Sequence, residues 1–326
     1  MRNHLNRTEN LISSAKLSKL STPVALIMFN RPDHVRAVFE TIAEAKPKVL
    51  LIIADGPRTS ADAQKCLEAR SVIKGVNWDC EVLTNIADQN LGCRRRVVSG
   101  LNWVFSLVEE AIILEDDCVP HLSFFRYCET LLDYYRHDER VMEIGGCNYR
   151  KGRIESEYSY CFSQYYHTLG WATWRRAWKF YDENISAWPE LKRSGFLSTL
   201  CDDRREERYW TEIYDEVLNG GLETSWDYQW QLARWCQNGL AAVPAVNLVS
   251  NIGFGPGATN TTSEHDFRSR LPVHEIGEIH HPPSVSCNKE ADRYRFNTVE
   301  LLRPGLLWKI GNGIKRIRQT LSRRHS

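Results

Sequence analysis

Ala111-Ile112-Ile113-Leu114-Glu115-Asp116-Asp117 decides the fold, because four apolar residues run straight into three carboxylates. A short continuous apolar run reads as a strand buried on both faces, as in a parallel sheet. Three acids in succession at its carboxyl end repel one another unless something neutralises them. In an open α/β sheet that end is also where ligands bind. A divalent cation held by one or two of these oxygens, and shared with a diphosphate, answers both needs. Mg²⁺ or Mn²⁺ suits such a set, since hard ions take few protein carboxylates and complete their shells with phosphate and water. The alternative is an acidic turn capping the helix that starts near His121.

Upstream of this stretch, strand and helix patterns alternate. Pro23 to Phe29 and Val49 to Ala54 are apolar strand runs, and Glu81 to Ile86 is a weaker one. Between them Val35, Val38, Phe39 and Ile42 recur at helical spacing, and a second helix is expected over Ser60 to Lys74. After Asn90-Leu91-Gly92 a third helix carries Val97, Leu101, Phe105 and Val108 on one face. This order predicts an open, mostly parallel sheet covered by helices. Beyond Val141 to Gly146, which reads as one more strand, aromatic-rich segments dominate, with helices expected over Thr173 to Tyr181, Glu206 to Leu218 and Tyr228 to Asn238.

Composition narrows the function classes. A chain of 326 residues with 42% hydrophobic and 25% charged residues has ample core for one large domain or two closely packed ones. A net charge of +1 gives no global reason to expect nucleic-acid binding. Eleven Trp and thirteen Tyr crowd toward the second half, where they can pack a core or offer platforms to sugar rings; core packing is expected for most. The ten Cys have irregular spacings without a CxxC pair, and the polar stretch from Met1 to Thr22 lacks the apolar core of an export signal. A reducing cytoplasm is therefore the expected location. From Arg303 to Ser326 seven Lys and Arg residues interleave with Leu, Ile and Trp and no acid, a composition suited to peripheral contact with an anionic membrane surface.

Further residues carry chemistry. Arg94-Arg95-Arg96 fall in the first turn of a helix, where cations oppose the helix dipole unless an anion such as a diphosphate joins them. The other reading is a solvated face paired with surface acids. Arg31 and Asp55 sit at the tips of the first two strands, on the same side of the sheet as Asn90 to Gly92 and the acidic triplet, and Asp55 there can accept hydrogen bonds from a base or ribose. Asp-Gly is also an ordinary turn. Asp227, within Ser225-Trp226-Asp227-Tyr228-Gln229-Trp230, opens a helix among aromatic rings. It is a candidate general base or, equally, a helix N-terminal acid.

Glu115-Asp116-Asp117 after its strand, leading into Val119-Pro120 and Phe124-Phe125, resembles the metal-binding stretch of N-acetylglucosaminyltransferase I and its bacterial relatives, which are inverting glycosyltransferases of the GT-A fold. The likeness extends from about Pro23 to Thr262 and takes in Gly170-Trp171-Ala172-Thr173-Trp174 and Trp226-Asp227. It implies a GT-A, Rossmann-like nucleotide-sugar fold, with Asp117 on Mn²⁺ or Mg²⁺ and Glu115 and Asp116 on donor sugar or ribose. Arg31 and Asp55 would lie near the base, and Asp227 would deprotonate the acceptor; Arg94 is expected near the diphosphate from the helix-dipole reading and not from the resemblance. The glycine-rich stretch from Gly253 to Thr262 would correspond to a loop closing over the donor. Two departures stand out: the membrane anchor of the animal enzymes has no counterpart here, and the part after Thr262 does not align, which leaves a histidine ligand from His265, His280 or His281 open.

These expectations divide the chain into a flexible N-terminal segment (1–22), a nucleotide-sugar-binding half (23–150), an acceptor-binding and catalytic half (151–302) and a basic amphipathic tail (303–326). The expected partners are a nucleotide-sugar donor, foremost a UDP-sugar, and a glycan or lipid-linked glycan acceptor at the inner face of the plasma membrane. A retaining transferase of the same fold, a sugar-nucleotide pyrophosphorylase and a non-catalytic glycan-binding protein are the competing readings. Against the pyrophosphorylase, Asn30-Arg31-Pro32 follows the first strand where a glycine-rich triphosphate loop would be expected.

Overall fold

In the computed structural model residues 19–150, 157–255 and 266–301 are described. The first strand, β1 (Val24–Met28), is apolar and buried along its whole length. It passes through Arg31 into α1 (Pro32–Ala45), where proline at the first helical position supplies the required φ without forfeiting a hydrogen bond. Then follow β2 (Val49–Ala54), α2 (Ser60–Ser71), β3 (Glu81–Ile86), α3 (Cys93–Leu107) and β4 (Glu110–Glu115). A short strand, β5 (Cys118–Pro120), leads into α4 (Leu122–Tyr134) and β6 (Val141–Gly145). The alternation expected from the apolar runs is present through β6.

The second half contributes β7 (Tyr160–Ser163), β8 (Trp171–Trp174), α5 (Arg175–Trp178), α6 (Trp188–Arg193), α7 (Arg204–Leu218), α8 (Asp227–Cys236), β9 (Leu240–Pro244), β10 (Val249–Asn251) and α9 (Lys289–Arg295). One expectation fails here. The segment Thr173 to Tyr181 is not a single helix, since Thr173 and Trp174 belong to β8 and only Arg175 to Trp178 are helical. Tertiary pairing overrides the local pattern: β8 lies antiparallel beside β4, with Ala111 opposite Thr173, and the buried Thr173 hydroxyl donates to the Met142 carbonyl at 2.6 Å.

Eight strands form one sheet in the order β3-β2-β1-β4-β8-β6-β9-β7, and β5 pairs with β10 in a separate two-stranded ribbon. The first four sheet strands are parallel to one another; β8 runs antiparallel to both β4 and β6, and β9 is parallel to β6. Alternate residues of the central strands serve opposite faces. Val24, Leu26, Leu50, Ile52, Ile112 and Leu114 pack with α1 and α4. Ala25, Ile27, Leu51, Ile53, Ala111 and Ile113 pack with α3 and the aromatic residues of α7 and α8. The result is a mixed α/β architecture with a large, mostly parallel sheet covered by helices on both faces.

Most tryptophans of the second half are core. Trp171, Trp174, Trp188, Trp210, Trp230 and Trp235 are at most 2% exposed. Trp171 stacks on Trp226 with ring centroids 5.6 Å apart, and the Trp230 indole N–H donates to Glu143 Oε2 at 2.7 Å. That carboxylate also faces the fully buried Arg234 guanidinium at 3.3 Å. The Trp230 indole and the His167 backbone N–H satisfy Glu143, and Arg234 Nη2 donates to the Gln164 carbonyl at 3.3 Å, while Arg234 Nη1 has no hydrogen-bond partner among the described residues.

Candidate functional site

The sheet reverses direction at β1. From β1 the chain moves outward through β2 to β3, then returns so that β4 lies on the other flank of β1. Such a switch point opens a crevice at the carboxyl ends of the two diverging strands, because their following loops leave in opposite directions. Arg31 follows β1 and Glu115 ends β4, with Ile27 opposite Glu115 in the register. An open cleft lies there, lined by Phe29, Arg31, Asp55, Arg58, Asn90, Gly92, Cys93, Arg96, Glu115, Asp116 and Thr224, with the apolar Ile27, Met28 and Val97 among them.

Asp116 and Asp117 form the turn between β4 and β5. Asp116 is 4% exposed, accepts the Phe29 backbone N–H at 3.2 Å and pairs with Arg31 Nη2 at 2.9 Å. Arg31 Nη1 reaches Asp117 Oδ2 at 3.4 Å. The guanidinium thus bridges both carboxylates. Glu115 is pushed up to about 8, chiefly by burial and then by the charges of Asp117, Asp116 and Asp227, with Arg31 pulling it down. Asp116 is pushed up to about 6 by burial, opposed by Arg31, while Asp117 adds to the rise. One guanidinium therefore leaves the negative charge of the cluster under-compensated.

Asp227 is the first residue of α8. Ser225 Oγ donates to its Oδ1 at 2.6 Å, and the Tyr228 N–H to the same oxygen at 3.2 Å. Its charge acts on both Glu115 and Cys93, which places it near the same end of the sheet as the triplet. Burial, with Glu115 and Asp227 adding, pushes the Cys93 thiol well up, away from nucleophilic chemistry.

The other expected residues take distinct places. Asp55 is 5% exposed, and its carboxylate accepts from the N–H groups of Gly56, Leu91 and Gly92 and from Asn90 Nδ2, at 2.9 to 3.2 Å. It fixes the loop that presents the start of α3. Arg94 turns to the carboxylate and carbonyl of Glu183, and Arg95 is exposed. Of the three arginines, Arg96 lines the cleft, 4% exposed and held by the Asn85 carbonyl and side chain. Its position was legible in principle, because Arg96 shares the sheet-facing side of α3 with Val97 and Gly100. At the N-terminus of α3 stands Gly92, with φ +79° and no side-chain cap, so the first turn offers backbone N–H groups toward the cleft.

Gly253 is a site residue whose individual part sequence reasoning missed. A Cβ built on it would lie 2.1 Å from Asp117 Oδ2 and 2.8 Å from Asp117 Cβ, so the bare backbone at 253 shapes the space around that carboxylate. Only the fold shows this, since β10 brings residue 253 back against β5, with the Ile252 N–H on the Asp117 carbonyl at 2.9 Å. Residues 256–265, which hold the rest of the glycine-rich stretch and His265, lie outside the described residues, as does the basic tail from 303. His281 stacks on Tyr134, the last residue of α4, away from the triplet that precedes that helix.

Among the described residues no group of three or more His, Cys, Asp or Glu side chains converges as a ready metal site. The donors beside the cleft are hard carboxylate oxygens, which fit Mg²⁺ or Mn²⁺ only when an oxygen-rich ligand completes the shell. Among the described residues no helix is long and apolar enough to cross a membrane.

No protein-family model and no curated protein matches the chain. Among solved structures, the crystal structure of a UDP-glucose pyrophosphorylase complexed with UDP-glucose matches with a TM-score of 0.26 and 9% identity, over 48% of this chain and 71% of that one. Similarity at that level carries no argument about activity.

Proposed function

We propose that the protein is a metal-dependent glycosyltransferase of the GT-A type, which moves a sugar from a nucleotide-sugar donor, foremost a UDP-sugar, to a glycan or lipid-linked glycan acceptor with inversion. The observation that carries this reading is the meeting of Glu115, Asp116, Asp117 and Arg31 at the β1/β4 switch point, beside a helix N-terminus without a side-chain cap, with the Asp227 carboxylate near enough to act on Glu115. Asp117 would hold Mn²⁺ or Mg²⁺, with Glu115 and Asp116 toward the donor sugar or ribose. Such an ion supplies charge stabilisation to a departing nucleoside diphosphate.

The chain's own residues do the rest. Phe29, with the Arg58 guanidinium 4.9 Å above its ring, walls the base side of the cleft, and the first turn of α3 faces the phosphates with free N–H groups. Arg31 adds positive charge where the diphosphate would lie. Asp227 accepts the proton of the acceptor hydroxyl as its oxygen bonds to the anomeric carbon and the bond from that carbon to the diphosphate oxygen breaks. The nucleotide leaves with the electron pair of that bond, so the proton and charge balance. Proton NMR of the product's anomeric centre separates inversion from retention.

Thermal unfolding with a panel of nucleotide sugars tests the reading directly. Mn²⁺ and the cognate donor together are expected to raise the melting temperature beyond the rise with either alone. At a hundred times Kd the stabilisation amounts to about 2.7 kcal/mol. No shift with any donor in the presence of Mn²⁺ would leave the sheet as a scaffold for a non-catalytic binding protein.

Gly253→Ala is a second check. The added methyl must displace the Asp117 carboxylate, and a misplacement of about 1 Å in a catalytic constellation can cost about 10²-fold in rate. The expected result is a loss of that order in kcat/KM, with overpacking lowering the stability of the free protein by about 1–3 kcal/mol. Wild-type kinetics in this variant would place Asp117 outside the reacting centre.

A further inference from the structure

We propose that Arg31 is an exchangeable counter-cation: its guanidinium holds Asp116 and Asp117 together and gives up Asp117 to a divalent ion only when a nucleoside diphosphate arrives to receive it. The inference rests on the functional reading above and adds to it a rule for the order in which the site accepts its ligands.

Three observations support the exchange. First, the bridge is uneven, 2.9 Å to Asp116 Oδ1 but 3.4 Å to Asp117 Oδ2, so the contact to Asp117 is the weaker and the easier to break. Second, Asp117 Oδ2 is also the oxygen against which Gly253 packs. A metal ion and the guanidinium would compete for one crowded carboxylate face. Third, the Arg31 backbone is held, since its carbonyl accepts the Val35 N–H at 3.0 Å and Pro32 follows, whereas the side chain keeps 29% exposure toward the cleft. Adjustment therefore falls on the side chain.

Charge accounting gives the direction. Two carboxylates bound to one guanidinium leave a deficit that a divalent ion could fill, but the ion must first displace a cation already in contact. An isolated ion is thus opposed by the Arg31 charge and by loss of the bridge. When a diphosphate enters with the ion, the displaced guanidinium gains an anion in place of the one it releases. Metal and nucleotide then raise each other's affinity by the same factor. His34, in the first turn of α1, does not substitute for the arginine, because burial and the Arg31 charge lower its basicity.

The test is Mn²⁺ titration of the full chain, followed by the electron paramagnetic resonance signal of free Mn²⁺, with and without saturating UDP. For the wild type, UDP is expected to tighten Mn²⁺ binding by about tenfold or more. In Arg31→Ala, Mn²⁺ alone is expected to bind about tenfold tighter than to the wild type, while the gain from UDP shrinks toward none. Arg31→Lys retains the charge but cannot span two carboxylates, and should fall between them; it replaces the alanine variant if that does not fold. Mn²⁺ binding to both variants no tighter than to the wild type, with wild-type binding still supported by UDP, would overturn the exchange and leave the transferase reading standing. Absence of Mn²⁺ binding to the wild type even with UDP would overturn both.

Discussion

Asp117→Asn is expected to abolish measurable sugar transfer and, in the same preparation, the Mn²⁺-dependent part of the stabilisation by donor. Asparagine keeps the shape of the side chain and one carbonyl oxygen, so the turn between β4 and β5 should persist. What it loses is the charge that would fix a divalent ion. Removing one well-placed electrostatic partner of a developing charge costs about 10²–10³-fold in kcat, and loss of the ion itself should exceed that. Among the described residues, the contact from Arg31 at 3.4 Å is the ion pair expected to weaken at this side chain. Exposed or half-exposed pairs contribute about 0–1 kcal/mol, so the melting temperature of the free protein should barely change. Transfer at the wild-type rate by this variant in chelator-treated buffer would remove the metal from the mechanism.

Asp227→Asn should separate binding from chemistry. The asparagine oxygen can still accept the Ser225 hydroxyl and the Tyr228 N–H that now meet Oδ1, so the start of α8 stays in place. Loss of a negative charge at a helix N-terminus costs about 0.3–1 kcal/mol. The amide cannot take a proton from an acceptor hydroxyl, and a positioned base contributes about 10²–10⁴-fold. The expected signature is kcat lowered by that factor, with the Kd for UDP-sugar unchanged. An unaltered kcat would return Asp227 to the role of a helix N-terminal acid and move the search for the base elsewhere in the cleft.

Both variants address residues that the chain itself singles out. The triplet was legible because four β-prone apolar residues precede it, and a run of that kind has few alternatives to a buried strand. The tips of β1 and β2 were legible for the same reason, and so was the helix after Gly92. Arg94 shows where such reading stops. Three successive arginines point in three directions around α3, about 100° apart, and only packing decides which one meets the cleft. Glu183, distant in sequence, draws Arg94 aside, while Arg96 lies against β3 through Asn85.

The sequence by itself determined the alternating strands and helices, the parallel core and the acidic turn at the end of β4. These follow from short-range periodicity, which a local stretch of chain carries in full. Tertiary structure alone decided that β8 inserts antiparallel between β4 and β6, that eight strands join in one sheet, and that Gly253 returns against Asp117. It also decided what neutralises the triplet in the folded chain. The charges of Glu115, Asp116 and Asp117 are visible in any reading of the residues, but their balance depends on a guanidinium brought across from β1 and on the charge of a carboxylate brought from α8, and those neighbours exist only once the sheet has formed.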